Sequence, residues 1–261
     1  LAFDEAFETS IQAKVIAAQD ALKMENKTKE KEEEFFNLIN QRVNRRPLQY
    51  IIGESNFMGN KFMVSEGVLI PRDDTEVLVR EVINILGDTP SPKILDLCSG
   101  SGAIAISLAK LIKGSEVIAL ELSEKAYFYL NKNIELNGTN NVKPLILDVL
   151  KKNEEDKIEG NFDVIVSNPP YIKTQEIETL QEEVRREPHI ALDGGTDGLV
   201  FYRAIRDLWA NKLKRGGSIC VEVGIGQSKD VINIFSKLNP VSIYSLKDIN
   251  NIDRVVSLKI E

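Results

Sequence analysis

The sequence predicts an α/β fold in which a mostly parallel sheet is covered by helices on both faces. From Lys93 onward, apolar segments typical of buried strands alternate with segments of helical spacing, which is the pattern of a parallel sheet. A glycine-rich loop joins the first of these strands to its helix. The last two strand segments are separated only by "KDINNID", which suits an antiparallel pair because a parallel crossover needs about a dozen residues or more. The prediction is therefore a Rossmann-like, seven-stranded sheet whose last strand runs antiparallel.

A small helical domain is predicted over residues 1–54. Its first apolar residues recur every four positions and form one helical stripe: Phe3, Phe7, Ile11 and Val15. The charge run "KMENKTKEKEEE" is typical of a solvated helix face or a linker. Helical spacing resumes at Phe35 and ends before Pro47, because a residue that precedes proline disfavours the helical conformation.

A β-hairpin is predicted over residues 55–70, as the link to a large domain at residues 71–261. Gly59 and Asn60 stand between two short apolar runs, which indicates a turn. After the segment "PRDDTE" a helix is predicted over residues 75–86. Arg72 and Glu76, in and after this segment, either pair with each other or contact a substrate.

The large domain then continues as alternating strands and helices. Strands are predicted at residues 93–97, 116–120, 142–147, 162–167, 218–223, 241–246 and 254–260. Helices are predicted at residues 103–112, 123–136, 199–213 and 228–238. Gly138 ends the second of these helices, because glycine readily adopts the left-handed conformation that follows a helix.

Composition narrows the classes of protein that fit. The chain has 261 residues, of which 43% are hydrophobic and 28% charged, as in an ordinary globular protein. It has no run of about 18 apolar residues and no basic start followed by an apolar segment, so neither a membrane span nor a signal peptide is expected. The formal net charge of −7 disfavours a protein that binds nucleic acid through its phosphates.

The few residues that bind metals or form disulfides are scattered. Cys98 and Cys220 lie far apart in apolar surroundings, and His189 is the only histidine. No disulfide framework and no metal site are expected, and the composition suits the reducing cytoplasm. His189 is predicted to have a structural role.

The loop in "ILDLCSGSGAIA" predicts a nucleotide-like cofactor site. In a doubly wound sheet, ligands bind at the carboxyl ends of the strands, where this loop lies. Gly100 and Gly102 let the backbone approach a ligand where a Cβ atom would collide. Glu121 ends the next strand and is placed to accept hydrogen bonds from a ribose diol.

Two classes of cofactor fit this loop. Its glycine spacing, with an acid about 20 residues further on, also matches the fingerprint of dinucleotide-binding proteins. Asp96, just before the loop, favours a methyl donor with an amino-acid moiety, since its carboxylate would attract a cationic amino group and repel a pyrophosphate. Asp148 ends the third strand and either faces the adenine edge or caps the turn that follows.

The motif "NPPY" ends the fourth strand at the same edge of the sheet. Pro169 and Pro170 fix the backbone and remove two N–H donors, which leaves a stiff turn. The Asn168 side-chain oxygen and the Pro169 carbonyl are then two acceptors for the hydrogens of a planar NH2 group. Tyr171 offers a ring against which a flat group can stack. The turn is therefore predicted to hold an amide or amino group beside the cofactor.

These motifs together resemble a known family. "LDLCSGSG", Glu121 and "NPPY" are similar to the class I S-adenosylmethionine-dependent methyltransferases that act on planar nitrogen atoms. "RRPLQYIIGESNFMGNKFMV", "GVLIPRDDTEVLV" and "PHIALDGGTDGLVFYRAI" resemble the HemK/PrmC release-factor glutamine methyltransferases, from about Glu33 to the C-terminus. The chain departs from that family at Asp73, where proline is usual, and at Cys98, where glycine is frequent.

The resemblance implies a cofactor, a substrate and roles for the site residues. The implied cofactor is S-adenosylmethionine, and the implied acceptor is the glutamine of the GGQ loop in class I peptide chain release factors. The implied cofactor-binding residues are Asp96, Cys98, Ser99, Gly100, Ser101, Gly102, Glu121, Asp148, Val149 and Asn168. Val149 stands where the family often has a larger aromatic residue near adenine. The implied catalytic residues are Asn168, Pro169 and Tyr171, and these three with Pro170 bind the glutamine amide.

Other functions compete with this one. A methyltransferase acting on DNA adenine or on RNA would need a basic surface and a recognition segment, and neither is visible. An NAD-dependent oxidoreductase would leave the "NPPY" motif without a role, and a binding module without activity would leave the glycine loop without one. A glutamine of a ribosomal protein stays open as an alternative acceptor.

Overall fold

The computed structural model of the protein describes Lys14 and residues 29–261. These residues fall into two compact units that divide between Arg46 and Pro47. The predicted helical stripe from Phe3 to Val15 and the first half of the charge run lie outside the described residues.

The first unit contains helix α1, Lys29–Val43. Residues 31–34, the described end of the charge run, are exposed on it, which confirms a solvated helix face there. The helix ends three residues before Arg46, where Asn44 donates from its side chain to the Asn40 carbonyl at 2.9 Å. The end of the helix before Pro47 agrees with the sequence prediction.

The second unit opens with a short helix and a β-hairpin. Helix α2, Leu48–Ile52, ends at Gly53 in the left-handed conformation, and strands β1, Glu54–Phe57, and β2, Asn60–Met63, pair antiparallel. Met58 and Gly59 form the turn with φ values of 48° and 71°, so it lies one residue earlier than predicted. The strands are shorter than the predicted range of 55–70, because residues 64–70 leave the ladder and bury Val64, Val68 and Ile70 against Tyr50.

A seven-stranded sheet forms the centre of the second unit. Its strands are β3 Lys93–Leu97, β4 Glu116–Glu121, β5 Val142–Ile146, β6 Phe162–Ser167, β7 Leu213–Glu222, β8 Ser242–Lys247 and β9 Asp253–Lys259. Their order is β5-β4-β3-β6-β7-β9-β8. β9 runs antiparallel to β7 and β8, and the other pairs are parallel. The predicted mostly parallel sheet with an antiparallel last strand is confirmed.

Helices and turns cover both faces of this sheet, and two apolar clusters form the core on its two sides. The helices are α3 Glu76–Leu86, α4 Ala103–Leu111, α5 Glu124–Asn137, α6 Glu182–Arg185, α7 Val200–Ala204 and α8 Ser228–Phe235. α5 begins at Ser123, whose hydroxyl accepts a hydrogen bond from the Ala126 N–H, and it ends at Gly138 in the left-handed conformation, as predicted.

The helix predicted over residues 199–213 is shorter and irregular. α7 ends at Ala204, a π-helical turn follows at Ile205–Trp209 and a 3-10 turn at Ala210–Lys212, and β7 already begins at Leu213. Trp209 is fully buried, and its indole N–H donates to the Val149 carbonyl at 2.9 Å. This hydrogen bond joins Trp209 to a residue beyond the end of β5, so the local spacing of apolar residues does not predict it.

The strand order places a crevice at the carboxyl edge of the sheet. From β3 the chain moves outward through β4 and β5, and it then returns to pair β6 against the other side of β3. Ligands of such sheets bind where the order reverses, which here lies between the ends of β3 and β6. The Ser167 hydroxyl, at the end of β6, donates to the Leu97 carbonyl at 2.7 Å and ties these two strand ends together.

Candidate active site

A cavity of about 670 Å³ lies at this edge. Seven of the predicted site residues line it: Cys98, Gly100, Glu121, Asp148, Val149, Asn168 and Pro170. Six others are not among its lining residues: Asp96, Ser99, Ser101, Gly102, Pro169 and Tyr171. The cavity therefore joins the glycine loop, the acids at the strand ends and the NPPY turn in one place. Its wall also includes Gly67–Leu69 and Pro188–Ala191, which the sequence analysis did not assign to the site.

The two glycines of the loop have different reasons to be glycine. At Gly100, with φ +55°, an added Cβ would meet no atom within 4 Å, so the backbone is open toward the cavity. At Gly102, with φ +84°, a Cβ would lie 2.5 Å from Leu130 Cδ1 and 2.9 Å from Ile106 Cδ1. Packing of α4 against α5 therefore requires glycine at position 102, and the approach of a ligand to its backbone stays a prediction.

Hydrogen bonds of Ser99 and Ser101 hold the loop in place. The Ser99 hydroxyl donates to the Asp96 carbonyl at 3.0 Å, and the Ser101 carbonyl accepts from the Asn133 side chain at 2.9 Å. Cys98 has a φ of +62°. Glycine adopts this conformation without strain, which explains why the resembled family often has glycine at this position. Burial raises the pKa of the Cys98 thiol well above its usual value, and Glu121 and Asp96 add to the rise, so the residue is a neutral thiol.

Glu121 connects the loop to the start of α5. Its Oε2 accepts from the Gly100 N–H at 2.8 Å, and its Oε1 accepts from the Ser123 N–H at 2.7 Å. Burial raises the pKa of Glu121, while these backbone donors partly offset the rise. Because each carboxylate oxygen can accept more than one hydrogen bond, Glu121 can serve the loop and a ligand diol together.

Asp96 is fully buried at the penultimate position of β3. Neither of its carboxylate oxygens has a hydrogen-bond partner of good geometry among the described residues. Burial raises the pKa of Asp96 to about 8, although the nearby Ser99 hydroxyl and Ala105 amide partly oppose the rise. An unpartnered buried carboxyl is costly to a fold, and such groups commonly indicate a ligand or a functional role.

The end of β5 provides the far wall of the cavity. Asp148 Oδ1 accepts from the Leu150 N–H at 2.9 Å, so this side chain caps the turn, and the residue also lines the cavity. The capping role and the position beside a ligand, which the sequence left open, are thus compatible. Val149 also lines the cavity, and its side chain makes the wall aliphatic here. The residue is buried, and its carbonyl accepts a hydrogen bond from the Trp209 indole.

The NPPY turn presents a half-buried Asn168 to the cavity and buries both prolines. The Asn168 Nδ2 donates to the Thr75 hydroxyl at 3.2 Å. In the part of the chain that is described, no group donates to the Pro169 carbonyl. The turn therefore keeps the acceptor capacity that the sequence predicted for it.

Glu222 and Thr75 support this turn, and sequence analysis missed both. The Thr75 hydroxyl donates to Glu222 Oε2 at 2.6 Å, and the Tyr171 hydroxyl donates to Glu222 Oε1 at 3.3 Å. Glu222 is 2% exposed at the end of β7. A glutamate inside the apolar segment "SICVEV" was the indication in the sequence, since a carboxylate is rarely buried without partners.

Glycines pack closely around Tyr171. An added Cβ would lie 2.7 Å from the Tyr171 Cα at Gly194 and 2.5 Å from its carbonyl oxygen at Gly198. Gln227 completes the enclosure, because its Nε2 donates to the same Tyr171 carbonyl at 2.9 Å while its Oε1 accepts from the Gly224 N–H at 2.9 Å. The segment "LDGGTDG" thus fixes the backbone of the NPPY turn by direct contact.

For Arg72 and Glu76 the structure does not show the pairing that was one of two predictions, and contact with a substrate stays a prediction. Arg72 pairs with the buried carboxylate of Glu187. Glu76 accepts from the Met58 N–H at 3.1 Å and from the Arg80 guanidinium at 3.0 Å, so Arg72 and Glu76 do not pair with each other. His189, predicted to be structural, has a side chain that is 62% exposed and lies on the wall of the cavity.

Known proteins are similar to this chain in sequence and in fold. Residues 73–206 match the family of methyltransferase small domains, and residues 21–53 match the PrmC N-terminal domain. A release factor glutamine methyltransferase of Fusobacterium nucleatum is 43% identical over 216 residues, which are 82% of this chain and 60% of that protein. Its counterpart in Geobacter sulfurreducens is 42% identical over 224 residues, which are 85% of this chain and 76% of that protein.

A solved structure extends the likeness to the fold. A 16S rRNA methyltransferase of T. thermophilus, in complex with AdoMet and guanosine, aligns with a TM-score of 0.56 at 19% identity. The alignment covers 80% of this chain and 50% of that one. At this identity the likeness concerns the fold alone.

Proposed function

The chain belongs to the release factor glutamine methyltransferase family, and we propose that it methylates the side-chain amide nitrogen of the GGQ glutamine in class I peptide chain release factors. The observation that carries the proposal is the position of the NPPY turn. Asn168 and the loop residue Gly100 line the same cavity, so an amide held by the turn lies beside the cofactor loop.

The residues of the cavity fit S-adenosylmethionine, which supplies a methyl group on a sulfonium centre. Gly100 offers an open backbone, and Glu121 offers carboxylate oxygens to a ribose. Asp96, which is buried just before the loop and does not line the cavity, supplies the negative charge that a cationic amino group requires, and neither of its carboxylate oxygens has a hydrogen-bond partner of good geometry among the described residues. Asp148 and Val149 bound the region assigned to adenine. An NAD-binding site offers no comparable use for the orphan Asp96 or for the NPPY turn.

The chain's own contribution to the chemistry is to hold the acceptor. An amide nitrogen is a weak nucleophile because its lone pair is delocalised into the carbonyl. When Asn168 Oδ1 and the Pro169 carbonyl accept its two N–H hydrogens, electron density shifts toward the nitrogen and its orientation is fixed. Holding two reactants in line can remove about 7–11 kcal/mol of barrier. Tyr171 does not line the cavity, and its hydroxyl donates to Glu222, so its proposed contribution is to hold the turn. Burial raises the pKa of this hydroxyl, which is therefore a neutral phenol.

The remaining assignments concern the rest of the chain. Residues 1–54 are the proposed docking domain for the release factor, residues 55–70 the linking hairpin and residues 71–261 the methyltransferase domain. The match of residues 21–53 to the PrmC N-terminal domain supports the first of these. The proposed compartment is the cytoplasm, which agrees with two free thiols at Cys98 and Cys220. Across the described residues no helix is long and apolar enough to cross a bilayer.

Methyl incorporation from a labelled donor tests the proposal. The substrates are a class I release factor, its GGQ Gln→Ala variant, a GGQ peptide, a ribosomal protein and duplex DNA. The expected result is labelling of the release factor, none of the variant, and a much slower reaction with the peptide. Equal labelling of the Gln→Ala variant, or labelling of DNA in place of the factor, would contradict the assignment.

A further inference from the structure

We propose that Glu222 and Thr75 are positioning residues that fix which end of the Asn168 amide faces the acceptor glutamine. The predicted effect on turnover rests on the proposed function. Its structural part concerns only the direction of two hydrogen bonds. Both residues lie outside the cavity wall and act through Asn168.

The direction of these hydrogen bonds follows from the inventory of donors. An ionised carboxylate only accepts, so the Thr75 hydroxyl, 2.6 Å from Glu222 Oε2, must donate its one hydrogen there. The Thr75 oxygen is then left with lone pairs and accepts from Asn168 at 3.2 Å, which requires the NH2 group of the amide. The Asn168 oxygen is therefore the end that remains for the substrate, as capture of an NH2 group demands.

Glu222 also holds the other side of the turn. Its Oε1 accepts from the Tyr171 hydroxyl at 3.3 Å, so one carboxylate holds Tyr171 directly and Asn168 through Thr75. The Glu222 carbonyl in turn accepts from the Tyr202 hydroxyl at 2.9 Å, which fixes the end of β7. Asn168 thus receives its orientation from a buried group on the neighbouring strand.

The charge of Glu222 decides whether this arrangement persists. Burial raises its pKa to about 7, and Asp74 adds to the rise, while Thr75, Arg254 and Tyr171 oppose it. Protonated Glu222 can donate to the Thr75 oxygen, which frees the Thr75 hydrogen to turn toward Asn168. The amide is then stable in the flipped orientation, with NH2 facing the substrate, where it repels the N–H groups of glutamine. Turnover should fall as the pH drops below about 7, because the competent orientation needs ionised Glu222.

Single-turnover methyl transfer at saturating donor and release factor tests this effect apart from substrate binding. The native protein should show an acid limb near pH 7. Thr75→Val, which keeps the shape and removes the hydroxyl, should lower the rate at about pH 8 at least tenfold and abolish the acid limb. In a separate steady-state titration, its KM for release factor should stay within about threefold of the native value. Thr75→Ser should restore both rate and limb, and Glu222→Gln should remove the limb.

Thr139→Val is the matched control, because Thr139 is also a buried threonine whose hydroxyl bonds within the second unit, to the Ile134 carbonyl at 3.5 Å. Its rate and pH profile should equal those of the native protein. A native rate with a native acid limb in Thr75→Val would overturn the proposal.

A second readout needs no methyl transfer and so separates this proposal from the proposed function. The side-chain NH2 signals of Asn168 in a proton–nitrogen correlation spectrum are assigned by their absence in Asn168→Ala. In the native protein they should shift with a midpoint near pH 7, and in Glu222→Gln and Thr75→Val they should not shift over that range. Signals that stay constant from about pH 5.5 to 8.5 in the native protein, or that titrate equally in Glu222→Gln, would show that Glu222 does not orient this amide. If they titrate as expected while no release factor is methylated, only the proposed function fails.

Discussion

At the scale of single residues, Asp96 lowers the stability of the folded protein and provides the proposed contact for a cationic ligand. It is fully buried and has no partner of good geometry within the described part of the chain, so its ionised form is disfavoured. Its pKa of about 8 in the folded protein exceeds the ordinary value of 3.8 in the unfolded chain. The stabilisation from neutral Asp96 is complete below the unfolded value and is lost as the pH rises through about 8. A cationic group bound at this position would reverse that loss.

Asp96→Asn should therefore stabilise the protein and weaken donor binding. The gain in the free energy of unfolding should be larger at about pH 9 than at about pH 5, by more than ~1 kcal/mol, since one pKa unit corresponds to about 1.4 kcal/mol. Urea unfolding at the two pH values, without donor, measures the gain. Titration calorimetry with S-adenosylhomocysteine should show at least a fivefold loss of affinity. Native affinity in the variant would remove the proposed contact with the amino group.

Glu121 holds the backbone of the loop and is also the proposed contact for the ribose, so the substitution must disturb only the second role. Alanine would also release the N–H groups of Gly100 and Ser123, whereas Glu121→Gln keeps the size and one acceptor. Glu121→Gln should weaken S-adenosylhomocysteine binding by about 1.5–3 kcal/mol, the range for hydrogen bonds to a charged group. Calorimetry at constant pH measures it, with the exposed Glu124→Gln as the control that should bind normally. Equal affinity of the two variants would argue against a diol contact at Glu121.

At the scale of elements, the connection from β3 to α4 combines a ligand surface and a packing contact in one loop. Gly100 faces open space, while Gly102 lies under Leu130 of α5 and Ile106 of α4. Both of those side chains are fully buried, so neither can move aside without disturbing the core. Two glycines two residues apart should therefore respond differently to the same substitution.

The pair Gly100→Ala and Gly102→Ala tests this difference. Gly102→Ala should lower the free energy of unfolding by about 1–3 kcal/mol, the usual range for an overpacked core, with further strain from its positive φ. Gly100→Ala should cost about 1 kcal/mol, since only the conformation is strained, but should reduce donor affinity. Urea unfolding and calorimetry on both variants give the comparison. Equal destabilisation of the two would show that the loop repacks, and unchanged donor affinity in Gly100→Ala would place the ligand elsewhere.

At the scale of the whole molecule, the cavity belongs to one of the two compact units. Every residue that lines it lies between Gly67 and Phe201, within the unit that begins at Pro47. That unit has its own apolar core on both faces of the sheet. Donor binding should therefore depend on the second unit alone, while recognition of a whole release factor should depend on the first as well.

A chain of residues 47–261 should bind S-adenosylhomocysteine within about threefold of the native affinity. Its kcat/KM for a release factor should fall at least tenfold, because remote contacts orient the reacting group. Its rate with a GGQ peptide should equal that of the full chain, which serves as the control for an undamaged site. A shortened chain that methylates the whole factor at the native rate would contradict the docking role of residues 1–54.

The sheet, the hairpin and the position of the two motifs could be predicted from local patterns in the sequence. Strand and helix periods are local, so the pattern predicts β6 at residues 162–167, which is where the strand lies. Because the carboxyl ends of parallel strands meet at one edge, the order of strands and loops along the chain is enough to place the glycine loop beside the NPPY turn. The π-helical turn at Ile205–Trp209 was not predicted, because it is held by the hydrogen bond from the Trp209 indole to the distant Val149 carbonyl.

The residues that support the site become evident only in the folded protein. Thr75 and Glu222 are separated by 147 positions, and no period or spacing in the sequence relates them. The packing role of Gly102 and the contact of Gly198 with Tyr171 likewise depend on which segments dock against each other. Sequence patterns report conformations set by neighbouring residues, whereas buried hydrogen bonds and close packing are set by the path that brings distant segments together.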